Sequence, residues 1–81
     1  MSKAVTFEQL QKTLMGFGFV KSAASGSHVI FRHDPTGVVL TMPHTGTVRP
    51  IYVSTAARQI ANSGIATASV FENRLEKATK D

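Results

Sequence analysis

The sequence predicts an α+β domain in which helices cover one face of a three-stranded antiparallel sheet. Three observations support this fold class: a capped helical pattern near the start, three short strand-like runs separated by turns, and two further helical patterns after Pro50. Strands joined by short turns pair as an antiparallel meander, and helices then cover one of its faces. The predicted order is α-β-β-β-α-α in a single domain, residues 1–81, with a core at about 6–66 and a C-terminal helix at about 69–80.

The first helix is predicted over residues 7–15. Thr6-Phe7-Glu8-Gln9 matches a capping box, in which the Thr6 hydroxyl and the Gln9 side chain satisfy each other's backbone amides. Phe7, Leu10 and Leu14 then recur at helical spacing, which predicts an apolar face. A glycine near the end of such a pattern is a stop signal, so Gly16 is expected to end this helix.

Three runs with strand composition follow, at residues 19–23, 28–33 and 38–42. The turns between them are expected at Ser25-Gly26-Ser27 and at Asp34-Pro35-Thr36-Gly37, which contain residues that favour turns. Alternation along the second strand places Val29 and Phe31 on the core face and His28 and Arg32 on the opposite face. His33 falls beside the second turn and is interpreted as a turn residue.

Pro50 suits the first turn of the next helix, where a missing N–H costs nothing, and Ser63-Gly64 should end that helix. A second capping box is predicted at Ser69 with Glu72, opening the C-terminal helix. In that helix the apolar side chains lie on one face, at positions Phe71, Leu75 and Ala78.

Composition limits the classes of protein that the chain can belong to. With no cysteine, it has neither a disulfide framework nor a thiolate metal site, which fits a reducing compartment. No apolar run has the length of a signal peptide or of a membrane span. A soluble cytoplasmic protein is therefore expected, without a membrane interaction.

The net charge of +4 is concentrated in the first part of the chain. Residues 1–66 contain six Lys or Arg and two Asp or Glu, whereas residues 67–81 contain three of each. A compact basic surface attracts polyanions, so nucleic acid or an acidic protein is the expected partner.

His28 is the first candidate for chemistry, because its side chain exchanges protons near neutral pH and it follows the Ser-Gly-Ser turn. RNA can be cleaved without a metal when a base deprotonates the 2′-hydroxyl, cations stabilise the phosphoryl oxygens and an acid protonates the leaving oxygen. His44, just after the third strand, could face the same surface as His28 and is the second candidate for proton transfer. The ordinary alternative is that these histidines are structural.

Other kinds of site have less support. His28 and His33 point to opposite faces and few carboxylates accompany them, so no metal site is predicted. Ser27 is read as a turn residue or a phosphate hydrogen-bond donor. The candidates for phosphate contact are cationic side chains, at Lys21, Arg32, Arg49 and Arg58.

An ordered series of motifs covers roughly residues 6–66: Gly16-Phe17-Gly18-Phe19-Val20, then Gly26-Ser27-His28 opening a strand, then Met42-Pro43-His44 and a Pro-led helix. In this series the sequence resembles the HicA family of small toxins. The resemblance implies a fold like the double-stranded-RNA-binding domain, α-β-β-β-α, and metal-independent cleavage of mRNA with no cofactor. The family's glycine and histidine correspond to Gly26 and His28. It also implies a cognate HicB-type antitoxin that covers the active surface.

Two rival functions remain. A non-catalytic RNA-binding module on the same fold would use His28 and the cations for binding only. An interaction domain whose basic face binds an acidic protein would not bind RNA at moderate salt, whereas phosphate contacts give a steep salt dependence.

Overall fold

A computed structural model describes residues 4–80, with the backbone alone at residues 23–25. Lys3, counted above among the cations, lies outside the described residues, as do the first positions considered for a signal peptide. Three helices and five strands follow one another in the order β1 (Val5–Thr6), α1 (Phe7–Gly16), β2 (Val20–Ser25), β3 (His28–His33), β4 (Val38–Pro43), β5 (Thr47–Val48), α2 (Pro50–Asn62) and α3 (Ala68–Lys80).

The predicted meander is confirmed, because β2, β3 and β4 form an antiparallel sheet with β3 in the centre. Between β3 and β4 the register pairs His28 with Pro43 and His33 with Val38. The pairing of β2 with β3 shifts between Lys21 and Ala23, so this edge strand carries a bulge.

The helices cover one face of the sheet, which is the α+β arrangement that the sequence predicts. Alternation in β3 buries Val29 and Phe31 and leaves His28 and Arg32 exposed, as expected. His33, interpreted as a turn residue, is buried as well. The largest fully buried side chains come from both layers: Phe19, Phe31, Phe71, Leu10, Leu14 and Ile60. Transfer of such a side chain from water contributes roughly 1.5–3 kcal/mol to the free energy of folding, so the core between the sheet and the helices is the main source of stability.

A two-stranded ribbon, absent from the sequence-based prediction, joins the start of the chain to the segment before α2. In it Val5 pairs with Val48 and Thr6 with Thr47. The ribbon fixes the point at which α1 begins, since the Phe7 amide donates to the Gly46 carbonyl oxygen at 3.2 Å.

Two helix boundaries differ from the prediction, although the Thr6–Gln9 capping box is confirmed. Gly16 is the last residue of α1, and the left-handed backbone that follows the helix lies at Gly18, with φ +96°. The N-terminus of α3 is capped by Thr67, whose hydroxyl oxygen accepts from the Val70 amide at 3.1 Å. Ser69, the predicted cap, is inside the helix.

Candidate functional site

His28 is presented by a two-residue hairpin turn, Gly26-Ser27, between β2 and β3. Ser25 pairs with His28, and Gly26 has φ +60°, which is the glycine position of a type II′ turn. A Cβ at Gly26 would meet nothing within 4 Å, so the turn needs glycine for its backbone conformation.

The sheet face opposite the helices, which we call the open face, carries His28 at one end of β3 and Arg32 near the other. Register places Pro43, Thr41 and Val39 of β4 beside them on the same face. Residues four apart on a strand lie about 13 Å apart, so His28 and Arg32 cannot hold one phosphate oxygen together. Arg32 is therefore suited to a phosphate elsewhere along a bound strand.

Arg32 is held by two neighbours. Its Nε donates to Asp34 Oδ1 at 2.5 Å and its Nη1 donates to Ser22 Oγ at 2.9 Å. The hydrogen bond from Arg32 is the main cause that holds the pKa of the Asp34 carboxyl below its ordinary value, and the same bond raises the pKa of Arg32. Both side chains are about half exposed, so the pair fixes the direction of the guanidinium more than it stabilises the fold.

The remaining predicted cations do not gather around Arg32. Lys21 pairs with Phe31, which places it on the helix side of the sheet, although its side chain is exposed at the edge strand. Arg49 is the N-cap residue of α2 and Arg58 lies on an exposed part of that helix. The basic surface is thus distributed over several faces.

The other two histidines have different surroundings. His33 is buried rather than part of the turn: its Nδ1 lies 2.8 Å from Thr36 Oγ1 and its ring packs on Phe19. His44 is exposed, and its ring lies 4.4 Å from that of Phe7 in an edge-to-face contact. This contact places His44 at the start of α1, on the helix side of the sheet, so the two candidate histidines lie on different sides of one sheet end.

The described residues contain no group of three or more His, Cys, Asp or Glu side chains placed to bind a metal ion. Within residues 4–80, no helix has the length and apolar character needed to cross a membrane.

Sequence reasoning missed Ser22 and Asp34, the two residues that orient Arg32. Alternation from Val20, which pairs with Arg32, places Ser22 on the open face, whereas alternation from Ala23, which pairs with Ile30, places it on the other face. The bulge between Lys21 and Ala23 causes this difference, and the sequence gives no signal for it. The spacing of Arg32 and Asp34, two residues apart at the end of a strand, is the signal that could have indicated their pairing.

Fold and site together define a small, basic α+β domain that presents a histidine at the end of an uncovered sheet face. A family model described as the HicA toxin of bacterial toxin-antitoxin matches residues 7–61, more than half of the chain. The chain therefore belongs to the HicA toxin family, as the sequence motifs suggested, and has that family's fold, similar to the double-stranded-RNA-binding domain. Membership also implies a cognate antitoxin as partner.

The match ends within α2, so α3 lies outside it. Comparison with curated proteins gives no match.

Proposed function

We propose that this chain is the toxin of a type II toxin–antitoxin pair and cleaves mRNA without a metal ion, with His28 as the proton-transfer residue. The observation that carries the proposal is the position of His28: it is exposed, opens the central strand, follows the Gly26-Ser27 turn and lies within the segment that matches the family. Pairing with both neighbouring strands fixes the backbone of His28, which helps to position its side chain for general acid–base catalysis.

His28 can carry out both proton transfers that RNA cleavage requires. The neutral His28 imidazole takes the proton of a ribose 2′-hydroxyl, and the 2′-oxygen then attacks the adjacent phosphorus. The bond from phosphorus to the 5′-oxygen breaks, and this oxygen receives the proton from the His28 imidazolium. The products are a 2′,3′-cyclic phosphate and a 5′-hydroxyl.

Cationic and polar groups would bind the rest of the strand. Ser27 is exposed in the turn directly before His28, where its hydroxyl can donate to a phosphate oxygen. Arg32 retains free N–H groups after its bonds to Asp34 and Ser22, because a guanidinium has five. Lys21 and Arg49 are proposed to contact phosphates farther along the RNA.

The decisive experiment compares the purified wild type with His28→Ala on single-stranded RNA in the presence of EDTA. We expect His28→Ala to lower the cleavage rate by 100-fold or more, within the range of general acid–base catalysis. Thr41→Ala, an exposed substitution on the same face, should retain wild-type cleavage. Loss of cleavage in EDTA, or full cleavage by His28→Ala, would overturn the mechanism. Binding without any cleavage by the wild type would favour the RNA-binding module.

We further propose that the cognate antitoxin covers the open face. Apolar side chains lie there around the candidate site residues: Val39 is 53% and Val20 is 41% exposed, and both pair with Arg32. Ile30 lies on β3 between Arg32 and His28. Burial of aliphatic side chains favours a protein partner, since none of them can stack on a nucleobase as an aromatic ring does. A protein bound there would exclude RNA from His28.

The antitoxin surface can be tested by co-expression of the chain with its cognate antitoxin. We expect Val39→Lys to lower the affinity of the chain for its antitoxin at least tenfold. The antitoxin would then bury a charged lysine in place of the two methyl groups of Val39. Val70→Lys is the matched control, since Val70 is similarly exposed but lies on α3. Equal affinities of the two variants would place the antitoxin on another surface, provided that both variants still cleave RNA.

A further inference from the structure

A hollow of about 420 Å³ lies between the start of α1 and the segment after β4. It is lined by Thr6, Phe7, Glu8, His44, Thr45 and Gly46. Backbone and side-chain contacts shape it: the Phe7 amide donates to the Gly46 carbonyl oxygen, and the Thr45 hydroxyl donates to the Thr47 carbonyl oxygen at 2.8 Å. The hollow is therefore a defined part of the fold.

The hollow lies at the same end of the sheet as His28. His28 pairs with Pro43, and His44 is the next residue along the chain. The His44 amide also donates to the carbonyl oxygen of Ser27, the residue before His28. From strand spacing, the Cα atoms of His28 and His44 are at most about 9 Å apart. An RNA strand with a phosphate at His28 can thus place a neighbouring base in the hollow.

The chemistry of the lining fits a nucleobase and disfavours a phosphate. No Lys or Arg lines the hollow, whereas the Glu8 carboxylate would repel an anion. Exposed His44 offers a planar ring, and bases in single-stranded RNA stack on such rings while their Watson–Crick edges bind side chains. Among the described ion pairs none involves Glu8, so its two oxygens can accept hydrogen bonds.

A carboxylate accepts best from two adjacent N–H groups. Guanine presents such a pair, N1–H and the 2-amino group, on its Watson–Crick edge. Adenine and cytosine present one amino group beside an acceptor, and uracil presents one N–H between two carbonyls. We propose that the hollow binds a guanine base of the RNA substrate, with Glu8 reading its edge and His44 lying against its ring. This inference rests on the proposed function.

The test measures binding of short single-stranded 2′-O-methyl RNA oligonucleotides, which cannot be cleaved, by fluorescence anisotropy. The probes contain guanosine, inosine or adenosine at every purine position. We expect the wild type to bind the guanosine probe about tenfold more tightly than the adenosine probe. Inosine, which lacks the 2-amino group, should fall between them.

Two variants assign the preference to the hollow. Glu8→Gln should reduce the preference for guanosine to less than twofold, while Glu72→Gln, an exposed change of the same kind on α3, should preserve it. His44→Ala should weaken binding of all three probes. Equal binding of the probes by the wild type, or an unchanged preference in Glu8→Gln, would overturn the guanine site and leave the proposed function standing. Failure to bind any probe would overturn both.

Discussion

At the scale of single residues, the structure shows why one glycine should be harder to replace than another. Gly18 and Gly37 both have a left-handed backbone, with φ +96° and +77°. A Cβ at Gly18 would lie 3.3 Å from the Nε2 atom of buried His33, whereas one at Gly37 would meet nothing within 4 Å. Gly18 thus combines a backbone requirement with a packing requirement, and Gly37 has the backbone requirement alone.

We predict that Gly18→Ala destabilises the chain more than Gly37→Ala does. The left-handed backbone costs a non-glycine residue about 1–2 kcal/mol at either site. The additional contact with His33, which is also packed on Phe19, should bring the total for Gly18→Ala to about 2–4 kcal/mol. Urea denaturation at pH 7 measures both free energies of unfolding. Equal losses would mean that the His33 ring moves aside without cost.

At the scale of elements, α3 illustrates how a helix start is chosen. Thr67 caps the helix with its hydroxyl and its carbonyl oxygen accepts from the Phe71 amide at 3.1 Å, so the helix begins directly after it. Phe71 and Leu75 are buried by this placement. Packing of these two side chains against the rest of the core sets the position of the helix.

Substitution of Thr67 tests this boundary. Thr67→Ala should cost about 1 kcal/mol of the free energy of unfolding, because the Val70 amide loses its acceptor. Ser69→Ala should change stability by no more than a few tenths of a kcal/mol, since alanine is the better helix former at an interior position. Thermal denaturation of both variants shows which residue caps the helix. A larger loss of stability in Ser69→Ala than in Thr67→Ala would favour the predicted capping box at Ser69.

Features encoded in neighbouring residues could be predicted from the sequence, and features made by distant pairing could not. The Thr6–Gln9 box, the turn at Gly26 and the faces of β3 follow from spacing of a few residues. The ribbon of β1 and β5 has two residues on each strand, too short for any periodicity, and its strands are more than 40 residues apart. Ser69 misled the prediction because it satisfies the capping-box pattern with Glu72, whereas Thr67 has a valine in the third position.

The same division applies to the candidate site. His28 and Arg32 could be assigned to one face from alternation alone, and the structure confirms that placement. The environment of His44 depends on Phe7, which is far away in the chain. Burial of His33 depends on Phe19 and on a bond to Thr36, while the sequence showed only its position beside a turn.

At the scale of the whole molecule, charge is separated between the family-matched segment and α3. The matched segment carries Lys12, Lys21, Arg32, Arg49 and Arg58, while α3 has cations and carboxylates in near balance. Polyanion binding is therefore expected on the matched segment, with α3 serving to complete the core.

The salt dependence of RNA binding tests this separation. Each phosphate neutralised on a single strand contributes roughly −0.7 to the slope of log affinity against log salt concentration. We expect Arg32→Gln to make the slope shallower by about that amount, because one cation no longer contacts phosphate. Lys77→Gln on α3 removes the same charge and should leave the slope unchanged. Identical slopes for Arg32→Gln and the wild type would remove Arg32 from the binding surface.

The two-residue ribbon also sets the order in which parts of the domain can form during synthesis. The sheet that carries His28 is complete once β4 has left the ribosome, but β1 has no partner until Val48 follows. The amide of Phe7, and with it the start of α1, is tied to Gly46, which emerges at nearly the same moment. A nascent chain that stops before Val48 contains His28 but lacks the ribbon and the buried side chains of α2 and α3, so we expect it not to fold.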